Sequence, residues 1–130
     1  MDGLSSLARE RYVALTTFRR DGTTTSTPVW IVSDDGERLL VWTGAETWKV
    51  KRIRRDPRVR VAPSDGRGRP RGEARDGVAR VLEESALVER LMLEKYGWQK
   101  RATDLAARIG AALRRRPPRR AVTLEIRPPT

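Results

Sequence analysis

Apolar and polar residues alternate with period two along five stretches of the chain, the signature of half-buried strands. Tyr12–Phe18 places Val13 and Leu15 on one face. Thr24–Val32 follows, then Arg38–Thr43, Arg58–Pro63 and Glu73–Leu82. A sixth, Ala121–Arg127, sets Val122, Leu124 and Ile126 against Thr123, Glu125 and Arg127. Asp21-Gly22 and Asp34-Asp35-Gly36 mark tight turns, because glycine accepts the positive φ that hairpins need. Pro28 has no N–H to donate, so the second strand is predicted to be an edge or locally bulged. Gly77 is a candidate bulge in the fifth.

The period changes to three and four in two later stretches. After Ser85, the residues Leu87, Val88, Leu91, Met92 and Tyr96 share a stripe that Gly97 ends. Ala102, Leu105, Ala106, Ile109 and Leu113 repeat the pattern, and both stripes are predicted to pack in the core or in a dimer contact. Shorter helices are predicted at Ser5–Arg11 and Thr47–Arg55; Pro57 stops the second, since the residue before proline avoids the helical region. Hairpin-joined strands in a short meander, one small helix among them and a helical excursion before the last strand predict a mostly β fold with helices. Six short antiparallel strands suggest a small barrel, because closure removes exposed edges.

The chain has 130 residues, enough for one domain spanning 1–130 with a real core. It contains no Cys and no His. That excludes disulfides, thiolate nucleophiles, zinc fingers, a histidine base and every Ser-His-Asp triad. If the protein is an enzyme, a bound cofactor is expected to carry the chemistry. Its net charge is +11, and all but four of its 28 cations are Arg. Such a balance fits an acidic partner, or a compositional preference for Arg. No apolar run is long enough to span a membrane and Met1–Glu10 lacks a signal-peptide core, so a soluble cytoplasmic protein is expected.

The cations are densest in Lys49–Arg60. On a helix, Lys49 pairs with Arg52, and Lys51 with Arg55, at three-and-four spacing, while Val50 and Ile53 turn to the core. A hydroxyl at Thr47, a Lys at 49 and the unpaired amides of a helix start together suit a phosphate. A plain solvated cationic helix has the same charge. Nucleic acid is not expected: aromatic residues do not interleave this run, and no helix-turn-helix or RNA-binding signature is present. Trp30 and Trp42 are expected in the barrel core, and Trp98 as a packing anchor. Trp48, between Thr47 and Lys49, is placed to stack on a ring. The acidic pairs offer no acid–base arrangement, and Arg114–Arg120 reads as a solvated basic loop.

Several segments together resemble the split-barrel flavin and deazaflavin oxidoreductases, relatives of pyridoxamine 5′-phosphate oxidase. They are Leu15-Thr16-Thr17 with Asp21-Gly22, Ser26-Thr27-Pro28-Val29-Trp30, Val41-Trp42-Thr43-Gly44, and Thr47 through Pro57. Within that superfamily the chain is most similar to the branch that uses coenzyme F-420. The oxidases carry Ser-Arg-Lys, a spacer, an apolar residue and Asn-Pro at the last segment, and grip the FMN phosphate with the first three. Here Thr47 and Lys49 match, Trp48 replaces Arg and Asp56 replaces Asn. The resemblance implies a six-stranded antiparallel split β-barrel. It implies a homodimer with the site at the subunit interface, and hydride transfer from reduced F-420 to a small organic substrate. Thr47 and Lys49 would hold the phosphate, and Lys51, Arg52 and Arg55 the anionic oligoglutamate tail. Ser26, Thr27, Pro28, Trp42, Thr43 and Trp48 would border the ring. FMN is the alternative cofactor, and a non-catalytic basic anion- or nucleic-acid-binding module the alternative of another class.

Overall fold

A computed structural model describes residues 4–113 and 120–129. After a single 3-10 turn at Ser5–Arg9 come β1 (Tyr12–Phe18), β2 (Thr24–Val29) and β3 (Leu39–Gly44). Helix α1 (Trp48–Arg55) precedes β4 (Arg58–Ser64) and β5 (Arg75–Leu82). Helices α2 (Ala86–Tyr96) and α3 (Trp98–Leu113) precede β6 (Ala121–Arg127). The strands form one antiparallel sheet in the order β2-β1-β4-β5-β6-β3. Its ends approach where Val32 and Leu40 exchange backbone hydrogen bonds of 3.0 and 2.7 Å. This is the curled, incompletely closed sheet of a split barrel.

The meander expected from the sequence is corrected. Of the consecutive strands, β1–β2, β4–β5 and β5–β6 pair, the last across the two helices; β1 reaches past β2 and β3 to β4, and β3 pairs with β6. Alternation marks which residues face inward but not which strand lies alongside. The second strand ends at Val29 rather than Val32. There Trp30 leaves the ladder and stacks on Tyr96, ring centroids 4.5 Å apart, while Ile31 and Val32 are buried. Pro28 sits on the edge strand in unbroken register with Ala14, so its missing N–H disturbs no ladder. Gly77 is not a bulge either. It pairs directly with Val59, and a Cβ there would stand 3.0 Å from Ile126 Cγ2, tight enough that β6 would have to give way slightly.

The β1–β2 turn is built by its own residues. Gly22 has φ of 86°, and the Asp21 carboxylate accepts from the Thr23 N–H at 3.0 Å and the Thr23 hydroxyl at 2.6 Å. Inside the barrel, Val13, Leu15, Val41, Val59, Val61, Leu124 and Ile126 make the main core. Val50 and Ile53 of α1 join it. Burying each such side chain contributes about 1.5 to 3 kcal/mol.

Outside the barrel, α2 covers the other face of β3. Val88, Met92 and Tyr96 pack on Val32 and Leu40, with Trp30 and Trp42 partly buried beside them. The two tryptophans expected in the barrel core therefore lie in this outer layer. Tyr96 anchors it: its hydroxyl donates to the Arg11 carbonyl at 2.7 Å and accepts from the Ile31 N–H at 2.9 Å. Lys95 donates to the carbonyls of Ala8, Glu10 and Ile31. Trp98, expected as an anchor, is 76% exposed. Apart from Arg120, the basic stretch 114–120 lies outside the described residues.

Candidate functional site

Helix α1 begins where Thr47 leaves β3 in an extended conformation, φ −72° and ψ 157°. The Thr47 hydroxyl does not cap the helix; it donates back to the Gly44 carbonyl at 3.1 Å. The first amides of the helix therefore gain no partner from that side chain. At the other end, the Asp56 N–H donates to the Arg52 carbonyl at 2.7 Å and Pro57 follows. The Asp56 carboxylate takes the Arg58 guanidinium at 2.8 Å, which with the Arg58 N–H holds its pKa down at about 2.

With Val50 and Ile53 pinned in the core, the opposite face of α1 is determined. Trp48, Lys51, Arg52 and Arg55 fall at i, i+3, i+4 and i+7 and share it. The Trp48 ring is 68% exposed and carries the Lys51 ammonium at 4.7 Å and the Arg52 guanidinium at 5.8 Å. The end of β1 lies across from this face, where Arg55 donates to the Phe18 carbonyl at 2.5 Å. Arg19 and Arg20 then stand opposite α1 and close a cleft of about 370 Å³. Its walls are Arg19, Arg20, Trp48, Lys51, Arg52 and Arg55, with no carboxylate among them. Five guanidinium and ammonium groups around one indole make this an anion site with a flat apolar platform.

Lys49 sits on the flank of the same helix. It is half-buried, and its ammonium has no hydrogen bond or ion pair to any described residue. Burial, and then the neighbouring Arg52, push its pKa below the ordinary lysine value. A partly desolvated ammonium without a counter-charge favours a bound anion.

The other residues predicted for the site are distributed over both faces of the sheet. Ser26 and Pro28 pair with Thr16 and Ala14 on the outer face, where the Thr16 and Ser26 hydroxyls lie 2.5 Å apart. Thr27 pairs with Leu15 and points the other way; its hydroxyl oxygen is buried with no partner among the described residues, as is that of Thr17. Thr43 is buried. Trp42 faces the outer layer under α3, where the Lys100 ammonium lies 4.0 Å from its ring centroid. The structure thus gathers Trp48, Lys51, Arg52 and Arg55 into the cleft, and does not bring Trp42 to it. Arg19 and Arg20 were missed by sequence reasoning; their signal is a cation pair directly before the Asp-Gly turn.

Among the described residues, no His, Cys, Asp and Glu grouping could hold a metal ion, and no helix is long and apolar enough to cross a membrane. The curled sheet, with its three helices, defines a split-barrel protein. A family model described as pyridoxamine 5′-phosphate oxidase matches residues 4–127, and the chain belongs to that family. No curated protein matches it. Solved structures that share the fold include the following three. One, an F-420 reductase, is 19% identical over 100% of this chain and 96% of its own, with a TM-score of 0.62. An FMN-binding protein from Nostoc punctiforme, related to pyridoxamine 5′-phosphate oxidase, is 15% identical over 97% and 74%, with a TM-score of 0.61. The heme storage protein HutZ from Vibrio cholerae is 12% identical over 94% and 84%, with a TM-score of 0.64.

Proposed function

We propose that this protein is a cytoplasmic, homodimeric oxidoreductase that binds the deazaflavin coenzyme F-420 and transfers hydride to a small organic substrate. The observation that carries the reading is the conjunction of half-buried Lys49, whose ammonium has no partner among the described residues, with a carboxylate-free cleft of five cations. A single phosphate carries at most two negative charges and needs no such surplus; an anionic group followed by a carboxylate-bearing tail does. Trp48 in place of an arginine fits the same reading, since it trades one phosphate contact for a flat surface between cations.

In this arrangement Lys49 neutralises the phosphodiester near the start of α1. Arg19, Arg20, Lys51, Arg52 and Arg55 hold the tail by charge-assisted hydrogen bonds. Thr47 must turn its hydroxyl away from Gly44 to join them. When bound, reduced F-420 supplies the hydride, which accounts for a chain with no His or Cys to do acid–base or nucleophilic work. The small-residue outer face at Ser26 and Pro28 leaves room for a ring against the sheet backbone, completed by the second subunit.

The test is a side-by-side titration of the purified protein with F-420 and FMN, followed by cofactor fluorescence. Tighter binding of F-420, lost in a Lys51→Ala, Arg52→Ala double variant, supports the reading. Tighter FMN binding that survives the double variant overturns it in favour of an FMN enzyme of the same fold. Binding of neither, with strongly salt-dependent binding of generic DNA, moves the protein to the class of basic nucleic-acid-binding modules.

A further inference from the structure

The stripe of helix α3 stays out of the core: Leu105, Ile109 and Leu113 are exposed, which corrects one of its two expected placements and leaves the other, a dimer contact. The outer face of β5 and β6 carries more specific chemistry. Ala79, Leu124 and Ile126 turn into the core, so Val78, Arg80, Glu125 and Arg127 face the other way. Val78 pairs with Arg127 and Arg80 with Glu125, which makes a square with the two arginines on one diagonal.

Glu125 is the buried member of the square. One of its carboxylate oxygens is taken: Oε2 accepts from Arg38 at 2.6 Å, and Arg38 also grips Asp34 through bonds of 2.9 and 2.6 Å. The other, Oε1, is shared by Arg80 and Arg127, each at 3.3 Å. A well-formed charge-assisted bond is about 2.7 to 2.9 Å long. Each guanidinium is rich in N–H donors, and the two converge on one oxygen that holds neither closely. Charge points the same way. Among the described residues, this network joins three guanidiniums to two carboxylates and is one negative charge short. Val78, Arg80, Glu125, Arg127 and Pro128 line a cleft of about 280 Å³. Val78 is exposed, so an apolar wall stands beside the arginines. This cleft shares no residue with the one on α1.

We propose that the β5–β6 cleft binds a small organic monocarboxylate, with the carboxylate between Arg80 and Arg127 and the apolar body against Val78 and Pro128. The planar fork of arginine matches a carboxylate in two-point contact, and one such charge completes the network. Arg38 keeps Glu125 paired when the ligand draws Arg80 and Arg127 away from it. A phosphate dianion would exceed the missing charge and meet the Glu125 carboxylate at close range. The volume lies near the lower end for ligand pockets, about 300 Å³, and so suits a compact acid. This inference does not depend on the identity of the cofactor.

The experiment titrates the full chain with sodium benzoate and follows the amide and arginine Nε resonances by NMR. Benzamide, of the same shape without the charge, is the control. Saturable shifts are expected at Val78, Arg80 and Arg127 with benzoate and not with benzamide. Arg80→Gln and Arg127→Gln should each weaken benzoate binding by about tenfold or more. Both side chains are at least half exposed, so these variants should fold, and circular dichroism checks this. The Lys51→Ala, Arg52→Ala variant of the α1 cleft should bind benzoate as the parent does. An equal response to benzamide, no saturable shift in the parent, or unchanged affinity in both arginine variants would overturn the proposal. So would shifts confined to α1, which would assign benzoate to the other cleft. Shifts at these residues that follow protein concentration instead of benzoate would assign the two guanidiniums to a second copy of the chain and equally overturn it.

Discussion

The Lys51 ammonium rests 4.7 Å above the centroid of the Trp48 ring, one helical turn further along α1. The pair converts what sequence presents as a cationic run into an organised surface, since the indole both spaces the cations and offers a face to a ligand. Trp48 contributes little to stability, because most of its ring is in solvent. Trp48→Ala is expected to leave the unfolding midpoint within about 0.5 kcal/mol of the parent. F-420 affinity should fall by about fivefold to tenfold, the scale of one stacking or cation–π contact. Calorimetric titration beside thermal unfolding separates the two effects.

Lys49→Ala should weaken cofactor binding by about 1.5 to 3 kcal/mol, the range for a charge-assisted contact. Fluorescence titration with F-420 measures this, and an unchanged affinity would remove Lys49 from the site.

The same residue sets a pH dependence. Burial, then Arg52, lower its pKa from the ordinary 10.5, so the free protein loses this positive charge at a lower pH than a solvent-exposed lysine would. An anion bound beside it favours the charged form. Affinity should therefore be full while Lys49 is protonated and decline as pH rises through its lowered pKa. Titrations across alkaline pH in parent and Lys49→Ala protein test the assignment; the variant's affinity should lack this component of the decline.

Gly77→Ala should destabilise the sheet by about 1 to 3 kcal/mol. The added methyl would stand 3.0 Å from Ile126 Cγ2 and 3.3 Å from the Arg127 carbonyl, and a backbone oxygen in a paired strand has little freedom to retreat. Urea unfolding gives the cost, and parental stability in the variant would show that β5 and β6 can part without penalty.

Acid should weaken the fold through Asp56 and Asp65. Asp56 is held at about 2 chiefly by the Arg58 guanidinium, and Asp65 at about 2 chiefly by the Arg69 N–H. Both values lie below those of the unfolded chain. The stabilisation is therefore complete above about pH 4, and is lost as pH falls through about 2. The unfolding midpoint should decline over that window, and the double variant Asp56→Asn, Asp65→Asn should flatten the decline.

Local chemistry was legible without a structure. Alternation located all six strands to within a few residues, Asp21-Gly22 made the turn it promises, and Thr47 and Pro57 bracketed α1. The cationic face of that helix followed from Val50 and Ile53 alone, since two apolar residues three apart decide which side is buried. These are relations within one element, where spacing along the chain sets spacing in space.

What depended on contact between distant elements was not legible. Periodicity says that α3 has an apolar stripe but not which way it faces; Lys100 meeting Trp42, 58 residues earlier in the chain, decides that. Arg19 and Arg20 precede the Asp21-Gly22 turn, and only the bond from Arg55 that ties the end of β1 to α1 makes them a wall of the cleft. The sheet order was hidden for the same reason, because a strand's own pattern selects its buried face and leaves its neighbour to be chosen by packing. The amino-acid order thus determined each element and its charge, while the pairing of remote side chains alone decided where those charges converge.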